Sequence, residues 1–81
     1  MKARVIVTLR KSVLDPQGQT IQGALESLGF DKVDSIRCGK MMEVNFKAGT
    51  PQDAAERDLK QMCEKLLANT VIEDYRWEFV N

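Results

Sequence analysis

The chain contains no histidine and two cysteines, Cys38 and Cys63, and this excludes the familiar arrangements for nucleophilic catalysis. A thiol or hydroxyl nucleophile needs a neighbouring base to take its proton, and imidazole is the usual one. Cys38 lies near the end of an extended run and Cys63 inside a helical apolar stripe, positions where cysteine acts mainly as a small hydrophobe. Two isolated cysteines without histidine cannot fill the four ligand positions of a zinc site. Glu26, Asp31, Asp34, Glu43, Glu73 and Asp74 are scattered, with no spacing that dictates a carboxylate pair, and read as solvated surface. No catalytic, cofactor-binding or metal-binding residue is therefore expected.

Polar clusters at loops are the remaining candidates, and they point to binding. Asp15-Pro16-Gln17-Gly18 stands at a helix N-terminus, where free amides attract anions, but the Asp15 carboxylate would occupy those amides as a cap. Arg37-Cys38-Gly39-Lys40 sets two cations beside a glycine in a tight link, suited to a phosphate, to a partner's acids, or to simple solvation. Asn69 to Tyr75 joins an apolar pair, Val71-Ile72, to an acidic pair, Glu73-Asp74, and reads either as a contact segment or as a helix cap entering a strand. Tyr75, Trp77 and Phe79 alternate onto one face and supply core burial.

The elements that must position these groups follow from periodicity. Ala3 to Arg10 alternates, with Ala3, Val5, Val7 and Leu9 on one side, as a half-buried strand requires. Asp15-Pro16 starts a first helix whose apolar stripe is Ile21, Ala24, Leu25 and Leu28, ending at Gly29. Val33–Cys38 and Met42–Ala48 form two strands joined as a hairpin through Gly39-Lys40. Thr50-Pro51-Gln52-Asp53 starts a second helix, with Thr50 as cap and a stripe of Ala55, Leu59, Met62 and Leu66 flanked by Cys63 and Leu67. Asn69 closes it in a left-handed conformation, and Val71 to Val80 is the fourth strand.

The order β-α-β-β-α-β predicts an α+β, ferredoxin-like sandwich over residues 1–81: one antiparallel sheet with both helices on a single face. The other face carries Arg4, Ile6, Thr8, Met41, Glu43, Asn45, Arg76 and Glu78, too polar for a core but suited to a protein interface. At 81 residues such a core is marginal on its own, and with disulfides and metal excluded, self-association is the expected supplement. Twelve basic and twelve acidic residues give zero net charge, which argues against nucleic acid or an anionic membrane as partner. Residues 1–40 carry +3 and residues 41–81 carry −3, an asymmetry that lets complementary patches dock. Sparse cysteines and the lack of a signal-like segment before the first strand lead us to expect a cytoplasmic protein.

Several segments together resemble a known family. Val5 to Leu9, Val13-Leu14-Asp15-Pro16-Gln17-Gly18, Leu28-Gly29, Val33 to Arg37, Gly39-Lys40, and Leu66-Leu67-Ala68-Asn69 with Val71-Ile72-Glu73-Asp74-Tyr75 are similar to the PurS subunits of phosphoribosylformylglycinamidine synthase. The likeness spans nearly the whole chain; Thr70 departs from it, where such sequences commonly carry proline. It implies a small non-catalytic subunit in purine biosynthesis, a homodimer or homotetramer that bridges a glutaminase and a large ATP-dependent synthetase subunit. Ammonia released by the first would be used by the second to make formylglycinamidine ribonucleotide, with ATP and magnesium expected at the synthetase and no cofactor in this chain. Asp15, Gln17, Arg37, Lys40, Asp74 and Tyr75 are the candidate partner contacts. Two other classes compete: a ferredoxin-like regulatory dimer that binds a small molecule between subunits, and a stand-alone acid-base enzyme, which the lack of histidine disfavours.

Overall fold

The alternation at the N-terminus becomes the central strand. A computed structural model describes residues 1–80; Asn81, the last residue of the expected domain, lies outside them. β1 (Lys2–Leu9) lies between β2 (Gly39–Asn45) and β3 (Glu73–Val80), and both pairings are antiparallel. Ala3 stands opposite Val44 and Phe79, Val5 opposite Met42 and Trp77, and Val7 opposite Lys40 and Tyr75. This register gathers Ala3, Val5 and Val7 on one face, all buried, while period-two alternation turns Arg4, Ile6 and Thr8 to the other.

α2 (Gln52–Met62) covers the apolar face with Ala55 and Leu59, and Met62 packs against the same core. Pro51 takes the cap position expected of Thr50, whose hydroxyl instead donates to the Lys47 carbonyl at 2.6 Å. The helix runs into a π-helical turn, Cys63–Leu67, where the Ala68 amide donates to the Cys63 carbonyl at 3.1 Å. The wider turn breaks the 3.6-residue register. Leu66, expected in the buried stripe, is 82% exposed, and Leu67 and Ala68 face the core in its place. Asn69 closes the helix without a left-handed backbone: no described residue other than glycine has positive φ. Its Oδ1 accepts the Val71 amide and its carbonyl accepts those of Ile72 and Glu73, so β3 begins at Glu73 rather than Val71.

The ferredoxin-like α+β class stands, with an antiparallel sheet and two helices. It differs from the expected layout in one strand and in where the first helix sits. α1 (Pro16–Ser27) buries only Gly18, and none of its residues belongs to the core. Leu28 is 73% exposed and Ile21 is exposed as well, so the apolar stripe is present but uncovered. Val33–Cys38 forms no strand and no hairpin turns at Gly39-Lys40; the chain runs on into β2. The physical reason is that the first helix has captured this segment's backbone. The Gln22 side-chain amide donates to the Val33 and Asp34 carbonyls at 3.3 and 2.7 Å, and the Cys38 amide donates to Asp15 Oδ2 at 2.7 Å. Residues 10–38 thus form an arm, a helix with an extended return. The radius of gyration is 16.2 Å, against about 12 Å for a compact chain of this length.

Candidate partner interface

The root of the arm is built on Asp15. Its Oδ1 accepts the Gly18 amide at 2.9 Å and its Oδ2 the Cys38 amide at 2.7 Å, so one carboxylate caps α1 and ties down the chain entering β2. These amide bonds, from Gly18 and then Cys38, hold its carboxyl below the ordinary 3.8; burial opposes them and the Arg37 guanidinium assists. Asp15 is buried at 4% exposure, with both oxygens engaged, so it positions neighbours and offers no free group of its own. Gly18 is required beside it, because a Cβ there would run into the Ile36 carbonyl.

Asp15, Gln17, Cys38 and Lys40 line a cavity of about 240 Å³ with Glu73 at the same end of the sheet. Gln17 and Lys40 are exposed. Arg37, also exposed, donates to the Arg10 carbonyl, and Arg10 in turn donates to the Thr70 carbonyl and pairs with Asp74 at 3.8 Å. Five of the six residues singled out in the sequence therefore meet at the arm root. Arg10 joins the arm to the segment before β3, a role its place at a strand end did not disclose; its charge three residues beyond Val7, the last buried residue of β1, was the available signal.

Tyr75 stands apart. It lies on the half-buried aromatic face, stacked on Trp77 with centroids 6.1 Å apart, and its hydroxyl donates to Glu64 at 3.0 Å. That bond to a carboxylate, with burial, pushes the phenol above its usual range. Cys63 is fully buried, which raises its thiol and removes it from reach. Among the described residues no group of three or more His, Cys, Asp or Glu is placed to hold a metal ion, and no helix is long and apolar enough to cross a membrane.

A second concavity escaped the sequence reading. Val44 of β2, Phe46 just after that strand and Met62 of α2 floor a groove of about 490 Å³, rimmed by Lys47 and Asp58. Each apolar residue was legible as part of a stripe, but nothing in the sequence showed that the stripe would lack a cover.

A ferredoxin-like domain whose polar cluster and apolar groove are both open is of the kind that works through other chains. Residues 2–81 match the model of the family described as PurS: Phosphoribosylformylglycinamidine (FGAM) synthase. The chain is 51% identical over 81 residues to the synthase subunit PurS of Bacillus subtilis, covering 95% of this chain and 89% of that one. It is 45% identical to the PurS subunit of Methanocaldococcus jannaschii, covering 91% and 88%. The crystal structure of the M. jannaschii PurS superposes with a TM-score of 0.82, covering 95% and 92% at 42% identity. A chain of the PurLQS structure from Thermotoga maritima superposes at 0.81, covering 95% and 93% at 34% identity. The chain belongs to the PurS family and is a subunit of phosphoribosylformylglycinamidine synthase, acting in purine biosynthesis.

Proposed function

We propose that the chain holds the glutaminase and synthetase subunits of the synthase together and helps keep the path of ammonia between them closed to bulk water. Ammonia that reaches solvent is protonated and lost as a nucleophile, so the enclosing contacts matter as much as either active site. ATP and magnesium belong to the synthetase in this reading, and this chain contributes surfaces. The observation that carries it is the match, over nearly the full length of both chains, to a chain of the PurLQS structure. The arm root supports it: Gln17, Arg37, Lys40 and Asp74 present polar groups on a base that Asp15 and Arg10 hold in place. Tyr75 is a contact through its exposed edge. The chain acts as a homodimer or homotetramer in the cytoplasm.

Co-purification with both enzyme subunits, with and without ADP and glutamine, tests the assembly. The chain is expected to be retained with both. Arg37→Ala with Lys40→Ala is expected to weaken that retention while ammonia-dependent synthesis stays nearer normal. Unchanged retention and unchanged glutamine-dependent synthesis would remove those two residues from the interface.

A further inference from the structure

The cavity at the arm root holds two opposite charges that do not meet. Its floor is Val7 and Leu9 of β1, with Cys38 and Gly39 beside them. Lys40 of β2 stands opposite Val7 and Glu73 of β3 opposite Leu9, so alternation puts both charged residues on the same face of the sheet as that floor. They rise from strands on either side of β1, about 10 Å apart. Among the described residues neither forms an ion pair, with the other or with any third group. The cavity therefore has a cationic end and an anionic end with a gap between them.

We propose that this gap binds a small free α-amino acid, its carboxylate against Lys40 and its ammonium against Glu73. The other groups of the cavity narrow the choice. Asp15 cannot compete for the ammonium, because the Gly18 and Cys38 amides take both its oxygens. One oxygen of Glu73 accepts the Asn69 amide at 2.7 Å, which fixes the carboxylate and leaves the second oxygen for the ligand. Two acids, Asp15 and Glu73, line the cavity against one cation, Lys40, so a phosphate or a simple carboxylate is disfavoured, whereas a zwitterion adds no net charge. The volume is about 240 Å³, below the roughly 300–1,000 Å³ of sites for drug-sized ligands. An occupant the size of a nucleotide is excluded, and a small side chain lying on Val7 and Leu9 fits. Gln17, exposed at the rim, offers an amide to either charged end of the ligand. The site is complete within one chain and shares only Gln17 and Lys40 with the free partner contacts proposed above, so its failure leaves that reading standing.

Titration of the purified chain with L-alanine, followed by backbone amide resonances, tests the site. Saturable shifts are expected at Gln17, Gly39, Lys40 and Glu73, with those of α2 unmoved. L-Alaninamide, which lacks the carboxylate, and N-acetyl-L-alanine, which lacks the ammonium, should each bind at least about tenfold more weakly, as the loss of a charged hydrogen bond predicts. Lys40→Ala should weaken alanine binding to a similar degree. Glu73→Gln, which keeps an oxygen for the Asn69 amide, should do the same without unfolding the chain. Absence of saturable shifts at millimolar alanine would overturn the proposal. So would binding of either single-charge analogue, or of inorganic phosphate, as tight as that of alanine, which would mark a site for a simple ion, and so would alanine binding unchanged in both variants.

Discussion

The two halves of this molecule obey the same sequence rules with opposite outcomes. In the sheet, α2 and the start of the π-turn, apolar periodicity coincides with burial: Val5, Val7, Leu59 and Cys63 are fully or almost fully enclosed. In the arm, an equally regular stripe leaves Ile21 and Leu28 exposed and Leu25 only half-buried, and only Gly18 of α1 is buried. Periodicity specifies which face of an element wants burial; whether a single chain provides the cover depends on topology.

The sharpest way to break this comparison is to truncate one leucine from each half and measure unfolding at dilution, where the chain is single. Leu59→Ala should cost about 2–5 kcal/mol, the range for a fully buried leucine. Leu28→Ala should cost under about 0.5 kcal/mol, as for a surface position. Equal losses would show that the arm is packed within one chain after all.

Gly18→Ala probes the arm from inside. The new Cβ would displace the Ile36 carbonyl, at a cost of about 1–3 kcal/mol for overpacking. Hydrogen exchange should speed up at the amides of Gly18 and Cys38 while those of β1 keep their protection; uniform acceleration would contradict an arm that moves independently of the sheet.

The elements that could be read in advance are those fixed by local chemistry. Asp15-Pro16 announced a capped helix, and Asp15 does accept the Gly18 amide. The β1 alternation and the Tyr75-Trp77-Phe79 face became the central strand and a half-buried edge. What could not be read was competition. The extended run Val33–Cys38 carries the residue types of a strand, but Gln22 and Asp15 claim its backbone groups before β2 can. The π-turn was equally hidden, since a uniform 3.6-residue count places Leu66 inward and a single wide turn sends it out. The candidate contacts were legible as polar loop residues, whereas their convergence at the arm root depends on Arg10, whose bonds to Arg37, Thr70 and Asp74 join positions far apart in the sequence.

Acid titration sharpens the comparison further. Asp15's lowered carboxyl means that the folded chain binds fewer protons there than the unfolded one. Its stabilisation is present above 3.8 and is lost as pH falls through the folded value. Asp15→Asn should flatten that part of the stability profile, with the change centred on the arm; an unchanged acid limb would mean that the carboxylate carries none of it. The smallest effect is expected from Arg57→Ala on α2, whose pair with Asp53 at 3.6 Å is exposed on both sides and contributes within about 0.5 kcal/mol in chemical denaturation.

The central claim is that this chain acts by holding other chains in place. Reconstituting the synthase from its synthetase and glutaminase subunits, with and without this chain, tests it most directly. Omission should abolish or sharply reduce glutamine-dependent formation of formylglycinamidine ribonucleotide while leaving ammonia-dependent formation much closer to normal. Equal glutamine-dependent rates in the two mixtures, or turnover of formylglycinamide ribonucleotide by this chain alone, would contradict the account.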